Sequence, residues 1–330
     1  MIQICQFGAG RIGKIHAGNL ARHEAFELRY VVDVHEPSAR ALADQYGARV
    51  TDTATALADP ELEAVLIASS TDTHADLIEA AAGARKAIFC EKPIDLDRGR
   101  VDACLAVVAE AGVPCMIGFN RRFDHSFRAL KEGIDAGRVG AVEIVTIISR
   151  DPGPPPVDYI RVSGGLFRDM TIHDFDMGRW LLGEEPVQVF ATASCLVDPV
   201  IGQAGDVDTA VVVMRTALGK LCQISNSRRA TYGYDQRIEV HGSTGMLRAH
   251  NMLESLVEHA GEDGVTGAKP LHFFLERYAD AYRRELDHFA ECLRSGKAPS
   301  PGPEDGRRSL ALADAATESL ATGRPVAPKL

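Results

Sequence analysis

Short apolar runs alternate with longer amphipathic stretches through the first 120 residues. The runs Ile2–Phe7, Leu28–Asp33, Val65–Ser69, Ala87–Glu91 and Cys115–Phe119 have strand length, and Ala48–Val50 adds a shorter one. Between them, Arg11–His23, Ser38–Tyr46, Thr73–Ala82 and Leu96–Ala111 repeat apolar residues at helical spacing. Strands alternating with helices predict βαβ units, a parallel sheet and a doubly wound α/β topology. After Asn120 the pattern changes. A helix over His125–Ala136, a β-branched strand Val142–Ser149, a proline-rich loop over Asp151–Pro156 and a helix from about Leu166 to Leu182 come first. Strands at Val187–Val197, Asp208–Arg215, Lys220–Ser227, Gln236–Gly242 and Met246–His250 follow, with short connections that predict antiparallel pairing. Helices over Phe274–Arg294 and Pro303–Ala321 close the chain. The expected division is therefore an α/β domain over 1–120 and an α+β domain over 121–330, the second built on a large, mainly antiparallel sheet.

The length, 330 residues, suits two domains. A formal net charge of −10 argues against a nucleic-acid partner, whose binding face would be basic. No apolar run approaches the roughly 18 residues of a membrane span. The first strand begins at Ile2, so no signal peptide is expected. Seven cysteines, Cys5, Cys90, Cys104, Cys115, Cys195, Cys222 and Cys292, are dispersed without a C-x-x-C pair. They read as free thiols in a reducing cytoplasm, and their scatter leaves no expectation of a metal site.

Gly8-Ala9-Gly10-Arg11-Ile12-Gly13 lies between the first strand and the first helix. In that context Gly8 allows a tight turn, Gly10 lets backbone approach a pyrophosphate and Gly13 permits close helix–strand packing. The helix start supplies unpaired N–H groups and a positive dipole end. Asp33 stands 20 residues beyond Gly13, at the end of the second strand, where a carboxylate accepts from a ribose 2′-hydroxyl and repels a 2′-phosphate. No arginine follows it directly. These features predict a dinucleotide-binding Rossmann domain that prefers NAD to NADP.

Two further segments carry chemistry. Glu91-Lys92-Pro93 follows a buried strand, at the edge where open α/β sheets bind ligands, and Pro93 restricts the conformation of Lys92. Taken alone, a lysine here also reads as a solvated side chain. In Gly165-Leu166-Phe167-Arg168-Asp169-Met170-Thr171-Ile172-His173-Asp174-Phe175-Asp176, Asp169 and His173 are four apart and share one helix face, with Asp176 three further on. Acids beside one imidazole can orient it as a general base. On spacing alone the pattern fits a capping aspartate and a surface histidine equally well.

The Gly8–Gly13 loop, Glu91-Lys92-Pro93 and Asp169-x-x-x-His173 together resemble the Gfo/Idh/MocA oxidoreductase family, over nearly the whole chain. Gly165–Asp169 with Ile172–Asp176, Gly118–Asp124, Asp198-Pro199 to Gly205-Asp206 and Arg228–Asp235 are similar to its bacterial inositol 2-dehydrogenase branch. The resemblance implies NAD-dependent oxidation of myo-inositol to scyllo-inosose. It implies that Lys92, Asp169 and His173 form a catalytic triad in which His173 takes the hydroxyl proton and Lys92 steadies the oxygen. Gly8, Gly10, Arg11, Ile12, Gly13, Asp33, Ser70, Thr71, His74, Glu91, Lys92 and Asn120 would then border NAD. Lys92, Asn120, Arg121, Asp151, Asp169, Met170, His173, Asp176 and Tyr234 would line a polyol pocket rich in hydrogen-bonding groups. It also implies a homotetramer built on an open-faced sheet, with no metal. Another inositol isomer or a sugar as substrate, and a non-catalytic NAD-binding sensor, are the competing readings.

Overall fold

The computed structural model describes all 330 residues. Up to Phe123 the chain forms strands β1 (Ile2–Phe7), β2 (Phe26–Val32), β3 (Arg49–Val50), β4 (Ala64–Ile67), β5 (Ala87–Glu91) and β6 (Cys115–Gly118). They are connected through helices α1 (Arg11–Leu20), α2 (Glu36–Tyr46), α3 (Thr53–Ala58), α4 (His74–Gly83) and α5 (Arg98–Ala111). The six strands form one sheet in the order β3-β2-β1-β4-β5-β6, and every pairing is parallel. β4, β5 and β6 are buried along their whole length, which is what covering both faces of a parallel sheet demands. The order reverses between β1 and β4, the switch point at which such sheets open a crevice beyond their C-terminal ends. The short helix α3 was not expected; Asp52 starts it by accepting from the Thr55 amide.

From Asp124 onward come α6 (His125–Asp135), β7 (Val142–Arg150), α7 (Val157–Val162), α8 (Gly165–Asp169), α9 (Thr171–Leu182), β8 (Pro186–Ser194) and α10 (Pro199–Gln203). Strands β9 (Thr209–Thr216), β10 (Leu221–Ser227), β11 (Asp235–Gly242) and β12 (Gly245–Ala249) complete a second six-stranded sheet, ordered β12-β11-β7-β10-β9-β8. Its pairings are antiparallel except β7 with β10, which run parallel. Strand residues alternate buried and exposed, so one face is covered by the core while the other carries Ile144, Phe190, Val211, Val213 and Leu221 in the open. An exposed hairpin, β13 (Glu258–Gly261) with β14 (Gly264–Gly267), had no alternating apolar signal to reveal it. Helices α11 (Phe274–Arg277), α12 (Ala279–Ser295) and α13 (Pro303–Thr322) follow.

Two expected helices are each split. Between α8 and α9 the chain turns at Met170, where the Thr171 hydroxyl is drawn to Asn226 Oδ1 at 2.8 Å. Between α11 and α12 it turns at Tyr278, whose ring packs on Tyr234 and whose hydroxyl donates to Gln236. Packing also redraws the expected boundary. The first compact unit is Met1–Phe123 with Ala281–Leu310, and the second is Asp124–Asp280 with Ala311–Leu330. Residues 281–310, expected in the second domain, belong to the first because α12 buries Phe289 against Phe26 and Phe89.

Candidate active site

In the first unit the glycine loop runs from the end of β1 into α1. Gly8 has φ +100°, and a side chain there would collide with the backbone of Ala68 and Ser69 beyond β4. A side chain at Gly13 would strike the Gly8 carbonyl. Gly10, in contrast, opens on free space. α1 begins without a side-chain cap, so its first-turn amides remain available to a ligand. Asp33, just past β2, accepts from the Ala9 amide at 2.6 Å and from the His35 amide at 2.7 Å. It thus fixes the loop and keeps lone pairs for a further donor. Tight glycines on the inner side, an open glycine outside and a carboxylate beside them suit a dinucleotide.

The neighbouring strand ends supply the rest. Ser70 is exposed beyond β4, and Thr71 opens a 3₁₀ turn, Thr71–Thr73, that leads into α4. His74 is buried at the start of α4, with Nδ1 2.8 Å from the Pro93 carbonyl oxygen and Nε2 3.1 Å from that of Ser69. Burial pushes its pKa below the usual imidazole range. The ring therefore joins the loops after β4 and β5. Glu91 ends β5 and meets the His16 ring of α1 at 2.7 Å; Lys92, half-buried, comes next. Asn120 and Arg121 are buried in the 3₁₀ turn after β6.

In the second unit Asp169 closes α8 and His173 sits in the first turn of α9, on either side of the Met170 turn. Asp169 accepts from the Tyr159 hydroxyl at 2.9 Å, and its other oxygen lies 3.6 Å from the guanidinium of Arg228. Arg228 also stands 3.8 Å from Asp206, whose carboxylate accepts from the Leu166 amide. Gly165, at φ +81°, lets Asp206 approach so closely that a Cβ would lie 2.7 Å from its oxygen. One buried arginine thus holds two acids, one from α8 and one from the loop before β9. Below them Asn226 of β10 bridges Thr171 and Asp174.

The remaining expected pocket residues divide. Met170 and Tyr234 are buried, Tyr234 packing edge-on against Phe273 and Tyr278. Asp151 is half-buried and donates its amide to the Ser227 carbonyl. Asp176 is 1% exposed and lies 3.7 Å from Arg179, which is itself paired with Glu185. Tyr159, Asp206 and Arg228 escaped the sequence reading as site residues. Arg228 lay in a stretch already marked by resemblance, but its two acidic neighbours are 59 and 22 positions away in the chain.

Residues 2–119 match the model of the Gfo/Idh/MocA oxidoreductase family, NAD-binding Rossmann fold, and residues 131–327 match that family's C-terminal alpha/beta domain. The chain belongs to the Gfo/Idh/MocA family. The inositol 2-dehydrogenase of Rhizobium meliloti is 54% identical over 97% of both chains, and the myo-inositol 2-dehydrogenase of Thermotoga maritima is 49% identical over 98% of both. The scyllo-inositol dehydrogenase of Lactobacillus casei, solved with NAD(H) and scyllo-inositol, superposes with a TM-score of 0.91 at 30% identity over 99% of both chains. As in other Gfo/Idh/MocA members, the first unit is an NAD-binding domain, and the protein is an NAD-dependent oxidoreductase. No helix is long and apolar enough to cross a membrane.

Proposed function

We propose that the protein oxidises myo-inositol to scyllo-inosose as an inositol 2-dehydrogenase. The observation that carries this reading is half-identity along the whole chain to proteins of that activity. Bound NAD supplies the hydride acceptor. The chain's own part is to take the proton and steady the oxygen. His173 accepts the hydroxyl proton at its imidazole nitrogen, and Lys92 donates to the same oxygen as negative charge develops there. Asp169, oriented by Tyr159 and Arg228, fixes the surroundings of His173. The polyol carries no charge, which suits a pocket of Asp, Asn, Tyr and His side chains.

NADH absorbance with myo-, scyllo- and D-chiro-inositol against a panel of aldoses tests the proposal. The highest kcat/KM is expected on myo-inositol. A preference for scyllo-inositol or an aldose would reassign the substrate, and NAD binding without turnover of any polyol would make the protein a sensor.

We further infer a homotetramer in a cytoplasmic setting. Phe190 of β8 stands opposite Val213 of β9, and Ile144 of β7 opposite Leu221 of β10, so the open face presents apolar pairs, interspersed with Arg215 and Gln223, of the kind subunits cover. Seven free cysteines, six of them buried, fit reducing surroundings. Light scattering that returned the mass of one subunit would refute the assembly.

A further inference from the structure

Three acid–base groups meet inside the first unit, and only Glu91 has so far been given a task, at the border of the cofactor. His16 comes from the helix that follows the glycine loop, Glu91 from the end of β5 and Glu285 from α12. Their nearest ligand-type atoms all lie within 4.8 Å of one another. His16 and Glu285 are completely buried, and the Glu91 side chain is 12% exposed. The surroundings are aromatic, with Phe89 and Tyr282 both edge-on to the imidazole.

Hydrogen bonding distributes the protons. His16 Nε2 lies 2.7 Å from Glu91 Oε1, whereas its Nδ1 is buried with no acceptor. An N–H on Nδ1 would find no acceptor, so the ring's hydrogen bond runs from Nε2 to Glu91. That donor, together with its partial exposure, makes Glu91 the member able to carry the negative charge. Glu285 has neither advantage. Both its oxygens lack a hydrogen-bond partner, Nε2 of His16 is 4.0 Å away, and no lysine or arginine pairs with it. His16 from α1 and Glu91 from β5 face it, and Tyr282, one turn back on its own helix, packs edge-on against His16. A second buried anion beside Glu91 would be opposed by desolvation and by like charge together.

We propose that Glu285 is held as a neutral carboxylic acid facing the Glu91 carboxylate, and that His16 and Glu285 are positioning residues that fix the end of β5 and so deliver Lys92. Burial, followed by the Glu91 charge, raises the Glu285 pKa well above the ordinary carboxyl range, in keeping with this assignment. Glu91 is gripped from three sides. His16 donates to it, Glu285 faces it, and Gly118, its register partner on β6, leaves room that a Cβ would fill at 3.0 Å from the carboxyl. Lys92 is the next residue. Its role rests on the function proposed above; the protonation of Glu285 does not.

Glu285→Gln, which mimics the neutral acid, decides the matter. In the unfolded chain Glu285 ionises near pH ~4.3. Above that pH, folding obliges it to take up a proton, so its favourable contribution fades as pH rises towards the raised folded value. Thermal unfolding of the full-length chain from pH 5 to 9 should show E285Q level with wild type at the acid end. The variant should then gain about 2–4 °C per pH unit until that folded value is passed. A Tm deficit in E285Q that stays constant with pH, or a wild-type Tm lowered by EDTA, would overturn the assignment in favour of an ionised Glu285 or a bound divalent cation. For the positioning role, Glu285→Ala should lower kcat by about tenfold or more with little change in KM for NAD, and E285Q should restore kcat to within about twofold. Wild-type kcat in a folded E285A, or an E285Q as slow as E285A, would refute that role. If E285A does not fold, kcat of E285Q decides alone. The unfolding series needs no turnover, so it stands whatever the substrate proves to be.

Discussion

In the first unit the groups offered to the cofactor are mostly backbone: a glycine loop, the uncapped start of α1 and one carboxylate that ties the loop to β2. In the second unit the candidate chemistry is made of side chains, Tyr159, Asp169, His173, Asp206 and Arg228, gathered from helices, a loop and the end of β10. Backbone sites are specified by a few neighbouring residues whose conformational needs are absolute. Side-chain sites depend on where the sheet carries distant parts of the chain. Damage to the glycine loop should therefore show in cofactor affinity and damage to the second unit's side-chain cluster in turnover, with Lys92 and the groups behind it the part of the first unit that bears on turnover.

The strongest way to break this contrast is His173→Ala. Turnover should fall by about 10²–10⁴-fold, while NAD affinity measured by titration stays near wild type. Near-normal turnover in a folded, NAD-binding H173A would move the base to another group, Lys92 first. Next in size is Arg228→Met, which leaves the Asp169 and Asp206 carboxylates without the cation between them. Breaking such a buried arrangement costs about 3 kcal/mol. Urea unfolding should show that loss, with NAD titration unchanged, and an equal loss of NAD affinity would end the separation of the two sites. The mildest is Asp33→Ser, which removes the charged carboxylate whose two oxygens accept from the Ala9 and His35 amides and leaves one shorter hydroxyl in its place. KM for NAD should rise about tenfold, kcat should hold, and discrimination against NADP should shrink. Equal use of the two cofactors by the unaltered protein would refute the role given to Asp33.

The parallel sheet was readable because β4, β5 and β6 are buried on both faces and apolar but for Glu91 at the end of β5, and because Gly8 and Gly13 are glycine for want of space. The helical stretch that carries Asp169 and His173 was readable from its spacing, although the turn at Met170 was not. That turn is set by Thr171 reaching Asn226, 55 positions on, and local propensity contains nothing of it. The same holds for Arg228, whose meaning comes from acids on other elements. α10 escaped notice because it is a single capped turn, and β13–β14 because none of its residues is buried. The β7–β10 pair is parallel because the second sheet does not follow chain order, and short connections between successive strands gave no hint of it.

Residues 281–310 return to the first unit after the second has intervened, and their burial there has a consequence for synthesis. A nascent chain leaves the ribosome N-terminus first. When β6 has emerged, the sheet is whole but Phe26 and Phe89 still lack Phe289, and Glu91 has His16 without Glu285. The whole of Asp124–Asp280 must be translated before those contacts form. The nucleotide half is thus the first begun and among the last completed. A gene fragment ending at codon 123 would encode every residue of the glycine loop yet leave exposed the apolar surface that α12 covers in the finished protein.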